Sequence, residues 1–303
     1  MGTVVTLHII HTETSLTNQS DAAVARAKDW FRSVELACTR FDATSELRRL
    51  CETAHVVTPV SELLFEATQF ALAVADASGG AFDPTVGARM ESRGFDRDYR
   101  TGTQSRSAVV TNSTATYRDV ELDVAKQTIT LHKPLLLDLG AVAKGLAIDL
   151  AARELAELQH FMVDAGGDLF VSGRNADGES WRVGIRHPRE ADALLQTINV
   201  DGGAVCTSGD YERTGSDGQH HLLDARTHET AATLVSVTVL APSAMVADAL
   251  ATAAFALGPT AGLTFLENHH VEALLVTPSL ERFTTSGWPV DSGRPVDPGS
   301  PVG

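Results

Sequence analysis

Three things are scarce in this chain: cysteine, basic side chains and long apolar runs. Its three cysteines, Cys38, Cys51 and Cys206, are scattered and form no CxxC pair. They therefore give no disulfide framework and fit a reducing compartment. Lysine and arginine together number 24 against 39 acidic residues, so the net charge is −15. This balance argues against nucleic acid or an anionic membrane surface as the main partner.

The scarcity of long apolar runs bears on location. No stretch approaches the roughly 18 uncharged apolar residues that a membrane span needs. The first ten residues, MGTVVTLHII, contain neither a basic segment nor a long apolar segment followed by a small-residue cleavage site. From these absences we expect no membrane span, no signal peptide and a cytoplasmic protein.

The chain does have enough apolar material for a large core, since 43% of its 303 residues are hydrophobic. Short, mainly apolar segments predict strands at 161–165 and 168–172. Helix signals predict long helices over about 21–40, capped by Ser20 or Asp21, over about 62–76, capped by Ser61, and over about 243–257. Because we find no internal repeat and no linker, we predict one large α+β domain over residues 1–285, with mixed or antiparallel β-sheets and packed helices. The Pro/Gly/Ser-rich stretch 286–303 is predicted to be a disordered tail.

We expect the chain to be organised around the stretch from Leu135 to Glu157, LLLDLGAVAKGLAIDLAARELAE. It is predicted to be a strand that ends in Asp138, turns at Gly140 and enters a helix. The first amides of a helix are unpaired and its dipole is positive there, and Lys144 adds a full charge. A lone match of this kind is more often an ordinary buried strand–turn–helix with a surface lysine. The alternative is an anion site.

Further segments combine glycines with polar side chains, and each also has a purely structural explanation. SGGAFDPTVG (78–87) holds the carboxylate of Asp83, VDAGGDLFVSG (163–173) has a double glycine that permits close approach of a ligand, and CTSGDYER (206–213) offers hydroxyls and a carboxylate. A tight turn, a bulge and an Asx or Ser/Thr turn would explain them as well. His221 suits a site that deprotonates a hydroxyl near pH 7, although a lone histidine is more often structural.

Asp248 and Thr252 stand four positions apart on a predicted helix, so both side chains leave the same face. A carboxylate set among apolar residues is costly unless it is paired. A carboxylate and a hydroxyl at this spacing are reasonable oxygen ligands for Mg²⁺, with water and phosphate oxygens completing the coordination. The alternative is an aspartate near a helix N-terminus that the dipole favours.

Taken in order, these segments resemble the ApbE family of FAD:protein FMN transferases. The resemblance covers the chain from Met1 to about Phe283, and nine motifs in the family's order are far more specific than any one of them. The chain departs from the family pattern at Cys51, at 93–95 (RGF) and at 224–228 (DARTH). The matching motifs are MGT (1–3), FDATSEL (41–47), GGAFDPTVG (79–87), DLGAVAKGLAID (138–149), GGDLFVSG (166–173), WRVGI (181–185), TSGDY (207–211), HLLDART (221–227) and VADALATAAFALG (246–258).

This resemblance implies an ApbE-type, T-fold-like α+β fold. It also implies Mg²⁺-dependent transfer of the FMN moiety of FAD onto a Thr or Ser hydroxyl of a target flavoprotein, with release of AMP. His221 would be catalytic, and the backbone carbonyl of Ala141 with the side chains of Asp248 and Thr252 would bind the metal. The implied FAD contacts are Met1, Phe41, Ala81, Phe82, Asp83, Asp138, Lys144 and Leu223, with Ser208 and Asp210 as weaker candidates.

Two other functions stay open. Water in place of the protein hydroxyl would make the chain a Mg²⁺-dependent FAD pyrophosphatase that yields FMN and AMP. A protein that only binds flavin, as a carrier or scaffold, is the other possibility. The presence of Asp248 and Thr252 together with His221 favours catalysis over storage, and nothing in the sequence separates transfer from hydrolysis.

Overall fold

The structure, a computed structural model, describes residues 2–10, 17–98, 101–211, 220–291 and 293. Its helices are α1 (Thr17–Cys38), α2 (Glu46–Cys51), α3 (Glu62–Ala77), α4 (Gly87–Ser92), α5 (Gly140–Leu155), α6 (Ala244–Leu257) and α7 (Pro259–Asn268). Its strands are β1 (Val5–Ile9), β2 (Thr58–Pro59), β3 (Val120–Asp123), β4 (Thr128–Leu131), β5 (Phe161–Ala165), β6 (Asp168–Ser172), β7 (Trp181–Arg186), β8 (Leu194–Val200), β9 (Gly202–Gly209), β10 (Leu223–Asp224), β11 (Glu229–Thr230), β12 (Ser236–Ala241), β13 (Glu272–Val276) and β14 (Arg282–Thr284).

A seven-stranded antiparallel sheet in the order β1-β5-β6-β9-β12-β13-β14 forms the centre of the molecule. Because successive side chains of a strand point to opposite faces, neighbouring residues of β5 join different apolar clusters. Val163 packs into the larger cluster with α1, α3, α5 and α6, whereas Met162 packs into a smaller cluster with the β7–β8 hairpin. The sheet is therefore covered by helices on one face and by a hairpin on the other, which confirms the predicted α+β fold.

Local sequence signals explain the ends of the helices. The Ser61 hydroxyl accepts a hydrogen bond from the Leu64 amide and begins α3, as predicted. Ser243 does the same for α6 through the Val246 amide. No helix in the described part of the chain is both long enough and apolar enough to cross a membrane.

The structure corrects several local predictions. α1 begins at Thr17, so Ser20 and Asp21 lie inside the helix and do not cap it. The leucine run from Leu135 to Asp138 is not a strand. It is an extended segment with an isolated parallel bridge between Val86 and Leu136, and its apolar character comes from burial in the core rather than from membership in a sheet.

β10 begins at Leu223, so His221 lies just before that short strand. The end of the chain differs from its prediction. Part of the predicted tail is packed against β8: the Trp288 indole N–H donates to Gln196, and the Gln196 amide donates to the Pro289 carbonyl. Residues 292 and 294–303 lie outside the described part of the chain.

Candidate active site

A cavity of about 610 Å³ lies where the end of α1, the 81–86 loop, the first turns of α5, the end of β9 and one face of α6 meet. It brings together residues that are more than 200 positions apart in the chain. Its lining includes these predicted site residues: Phe41, Ala81, Phe82, Asp83, Asp138, Ala141, Lys144, Ser208, His221, Leu223, Asp248 and Thr252.

Asp210 is the one predicted site residue in the described part of the chain that does not line the cavity. Met1 lies outside the described residues, although its neighbours Gly2 and Thr3 line the cavity. The carboxylate of Asp210 is turned to Arg189, whose guanidinium donates two hydrogen bonds of 2.8 and 2.7 Å to it. Asp210 therefore forms an ion pair with Arg189 beside the cavity, and its contact with FAD stays a prediction.

The close crossing of α5 and α6 sets the relative positions of Ala141 and Asp248. A Cβ atom on Gly145 would lie 2.4 Å from the Met245 Cα atom, so only glycine permits this approach. The carboxylate of Asp149 then accepts hydrogen bonds from the first amides of α6, at Ala244 (2.7 Å) and Met245 (2.9 Å). Burial raises the pKa of Asp149, and these two amides oppose that rise.

A buried charge cluster lies in the cavity wall beside this crossing. Lys144 forms an ion pair with Asp168, a residue that is 2% exposed, and the Asp248 carboxylate also acts on the same ammonium. Burial alone would lower the pKa of Lys144, but the two carboxylates outweigh burial and raise it. Burial and the same carboxylates raise the pKa of Cys206, which keeps it a neutral thiol.

The charge balance of this cluster is suited to binding a divalent cation. One ammonium faces two buried carboxylates, so the cluster carries excess negative charge, and a bound cation would compensate it. The described residues hold no group of three or more His, Cys, Asp or Glu side chains suited to a metal. The predicted ligand set needs no such group, because it consists of one carboxylate, one hydroxyl and one backbone carbonyl. An oxygen-only set of this kind fits Mg²⁺.

Hydroxyl groups surround the same part of the cavity. The Ser208 and Thr252 hydroxyl oxygens lie 3.0 Å apart and join the end of β9 to α6. One residue earlier, the Thr207 amide donates to the Asp168 carboxylate, and the Thr207 hydroxyl pairs with Thr238. β9 thus holds both the buried charge cluster and the predicted metal ligand Thr252.

The start of α5 is not the free anion site that the sequence suggested. The Asp138 carboxylate accepts a hydrogen bond from the Gly140 amide, and the amides of Val142 and Ala143 donate to the Leu139 carbonyl. The first-turn amides at 140, 142 and 143 are therefore already paired inside the protein. Positive charge at this point comes instead from Arg40, whose Nε donates to Asp138 across 2.7 Å.

Asp83 organises the 81–87 loop. One of its oxygens accepts from the amide and hydroxyl of Thr85, and the other accepts from the Tyr117 amide. Burial raises the pKa of Asp83, and these hydrogen bonds counteract the rise. The carboxylate shapes the loop, while Ala81 and Phe82 beside it form part of the cavity wall.

The adjacent histidines His220 and His221 have different surroundings. His221 lines the cavity, and its ring meets Phe95 edge to face at 6.2 Å. His220 is absent from the cavity lining and packs edge to face on Phe255 at 5.7 Å. Burial lowers the pKa of His220. His221 is therefore the member of the pair that can reach a ligand in the cavity.

Two important site residues were missed from the sequence. Asp168 stands in the GGDLF segment directly after the double glycine, so a signal for it was present. The sequence around Arg40 carries no such signal apart from the neighbouring Phe41, because the partners of Arg40, Asp138 and Phe95, are distant in the chain.

This arrangement of motifs is matched by a family model. The model of the ApbE family matches residues 1–275 of this chain. The chain belongs to the ApbE family. As a member of this family it is an enzyme of the transferase class.

Relatives and solved structures within the ApbE family agree over most of the chain. The FAD:protein FMN transferase of Haemophilus influenzae is 28% identical over 305 residues, which cover 94% of this chain and 86% of that protein. The FAD:protein FMN transferase of Treponema pallidum is 35% identical over 283 residues, which cover 84% of this chain and 76% of that protein. The crystal structure of the ApbE protein from Thermotoga maritima has a TM-score of 0.81 at 27% identity and covers 94% of both chains. The structure of the flavin transferase ApbE from Vibrio cholerae has a TM-score of 0.81 at 26% identity and covers 95% of both chains.

Proposed function

We propose that this enzyme transfers the FMN moiety of FAD to a Thr or Ser hydroxyl of a target flavoprotein and releases AMP, in a Mg²⁺-dependent reaction. The observation that carries the proposal is the cavity, which gathers His221, the Ser208–Thr252 hydroxyl pair and the Lys144–Asp168–Asp248 cluster. Relatives over most of the chain are named FAD:protein FMN transferase, which supports the same activity here.

The Ala141 carbonyl, the Asp248 carboxylate and the Thr252 hydroxyl would hold the Mg²⁺ ion. When bound, Mg²⁺ supplies Lewis-acid stabilisation of the charge on the phosphate oxygens. Lys144 keeps Asp168 and Asp248 in place through their charges, so that Asp248 is oriented before a ligand arrives. The Ser208 hydroxyl pairs with the Thr252 hydroxyl and would fix its orientation.

His221 would take the proton of the acceptor hydroxyl. In the proposed reaction a bond forms between the acceptor oxygen and the FMN-side phosphorus. The bond from that phosphorus to the bridging oxygen breaks, and AMP leaves with the electron pair. The proton of the acceptor hydroxyl passes to the neutral imidazole, which is the usual role of a histidine general base. Its position in the cavity lining supports this role.

The flavin half of FAD would lie against Phe41, Phe82 and Leu223, which supply apolar surface in the cavity. Asp138 lies beside this surface, held by Arg40 and the Gly140 amide. The arrangement gives a flat aromatic ligand both an apolar contact and a fixed hydrogen-bond acceptor.

The test is to incubate the purified enzyme with FAD and Mg²⁺ in a soluble extract of the organism that encodes it. Proteins are then separated under denaturing conditions and examined for flavin fluorescence. A fluorescent band that needs enzyme, FAD and Mg²⁺ together, and that disappears with His221→Ala, supports transfer. AMP and free FMN without any fluorescent band would support a pyrophosphatase. FAD binding without any AMP would support a carrier.

A further inference from the structure

Arg40 connects three parts of the cavity wall. It follows α1, is only 4% exposed and lines the cavity. Its Nε donates to Asp138 across 2.7 Å, its Nη2 donates to the Phe95 carbonyl across 2.6 Å, and its guanidinium carbon lies 4.1 Å from the centre of the Phe41 ring. One side chain thus touches residues that belong to α1's end, the 93–98 loop and the entry to α5.

Phe95 extends this connection to the candidate general base. Its ring meets the His221 ring edge to face, with centroids 6.2 Å apart and planes inclined at 65°. Arg93, two residues earlier, donates to the His220 carbonyl across 3.3 Å and also bonds to the Thr230 hydroxyl. The segment from Arg93 to Phe95 is therefore in contact with the His220–His221 segment through both a ring contact and a backbone tether.

We propose that Arg40 is a positioning residue that fixes Asp138 directly and His221 through Phe95. The role given to His221 and Asp138 rests on the proposed function, whereas the contact chain from Arg40 to His221 does not. Arg40 is suited to this task because a planar guanidinium presents several donors in fixed directions. A lysine has one flexible ammonium and cannot hold Asp138, the Phe95 carbonyl and the Phe41 ring in the same geometry.

The proposal separates two effects on turnover. Loss of the hold on Asp138 should weaken FAD binding, because Asp138 belongs to the flavin part of the cavity. Loss of the hold on Phe95 should lower kcat, because the imidazole of His221 loses its orientation toward the acceptor hydroxyl. Small displacements of a catalytic group cost about 10²-fold in rate.

Three variants and one control test it. Arg40→Lys should raise the KM for FAD and lower kcat about 10²-fold. Asp138→Asn should show mainly the KM effect, and Phe95→Leu mainly the kcat effect, since it leaves the carbonyl that Arg40 binds. The control is Arg106→Lys, because Arg106 binds Asp96 of the same loop at 2.6 Å and does not line the cavity. Equal losses of kcat and equal rises of KM in Arg40→Lys and Arg106→Lys would contradict the proposal, because Arg40 would then contribute only to the stability of the loop.

The measurement that does not depend on activity is the position of the His221 ring-proton signals in the NMR spectrum, assigned by their loss in His221→Gln. Phe95→Leu should shift them by removing a neighbouring ring, Arg40→Lys should shift them as well, and Arg106→Lys should not. Unmoved His221 signals with unchanged kcat in folded Arg40→Lys would overturn the proposal. If Arg40→Lys does not fold, unmoved signals in Phe95→Leu would overturn it. A wild-type enzyme without transfer would contradict the proposed function and leave this NMR test decisive.

Discussion

The hydroxyl oxygens of Ser208 and Thr252 lie 3.0 Å apart, one at the end of β9 and the other on α6. Ser208 is buried, and both residues line the cavity. If the Thr252 oxygen binds the metal, its proton is free to donate to Ser208. The pair then fixes the orientation of a metal ligand.

The first prediction follows from this pair. Ser208→Ala should raise the Mg²⁺ concentration needed for half-maximal activity about 10- to 100-fold, the usual effect of losing a partner that holds a metal ligand. The control is Thr238→Val, which breaks the neighbouring Thr207–Thr238 hydroxyl pair away from Thr252. It should cost about 1 kcal/mol of stability and leave the Mg²⁺ dependence unchanged. Equal Mg²⁺ requirements in wild type and Ser208→Ala would contradict the assignment of Thr252.

The second prediction concerns the carboxylate of Asp248. Asp248→Ala should abolish Mg²⁺-dependent turnover and leave the fold intact, because it removes a metal ligand and also relieves the excess negative charge beside Lys144. Binding of Mn²⁺, followed by electron paramagnetic resonance, should be lost in parallel. Asp149→Asn is the matched control, since that carboxylate lies in the same helix pair and accepts hydrogen bonds from the Ala244 and Met245 amides. Wild-type Mn²⁺ binding in Asp248→Ala would rule out the metal role.

The third prediction contrasts the two adjacent histidines. His221→Ala should lower kcat about 10²- to 10⁴-fold, the usual contribution of one acid–base group, and should leave FAD affinity nearly unchanged. His220→Ala should keep most of the activity while it loses the packing against Phe255 and the hydrogen bond that the Leu222 amide donates to the His220 Nδ1 atom. Turnover rates and FAD binding of both variants decide the matter. Similar losses of kcat in the two variants would place the general base elsewhere. A His221→Ala defect confined to FAD binding would lead to the same conclusion.

The fourth prediction is a pH effect on stability. Glu154 of α5 accepts hydrogen bonds from Arg26 and Trp30 of α1, and these lower its pKa below the ordinary value of 4.5. A carboxyl with a lowered pKa in the fold stabilises the protein above its unfolded pKa, and the contribution disappears as the pH falls through the folded pKa. Glu154→Gln should therefore lower the Tm at pH 7, and the difference from wild type should shrink below about pH 4.5. A constant Tm difference down to pH 3 would contradict this ionic contribution.

Much of the fold was accessible from the sequence because short-range signals determine it. Short apolar segments predicted β5 and β6 with their observed bounds, and the Ser61 cap predicted the start of α3. The strand predicted over residues 135–138 was wrong, because burial in a core and burial in a sheet produce the same apolar pattern. Periodicity alone cannot separate the two.

The site was less accessible, because its chemistry depends on contacts across the chain. Lys144 looked like a free cation for phosphate, and only the fold shows that its ammonium is paired with Asp168, 24 positions away. The turn of Asp210 toward Arg189 and the hold of Arg40 on Phe95 are likewise long-range. Residue types marked segments that line one cavity, while the partner of each side chain was decided by tertiary packing.

The most direct test of the central claim is the ratio of AMP released to flavin covalently bound, measured on an acceptor identified in the extract experiment. Purified enzyme, FAD, Mg²⁺ and acceptor are incubated, AMP is quantified, and the acceptor is weighed intact by mass spectrometry. FMN transfer predicts one AMP per acceptor molecule that gains the mass of FMN less one water, with the adduct on Thr or Ser. AMP accompanied by an equal amount of free FMN, on an unmodified acceptor, would contradict transfer.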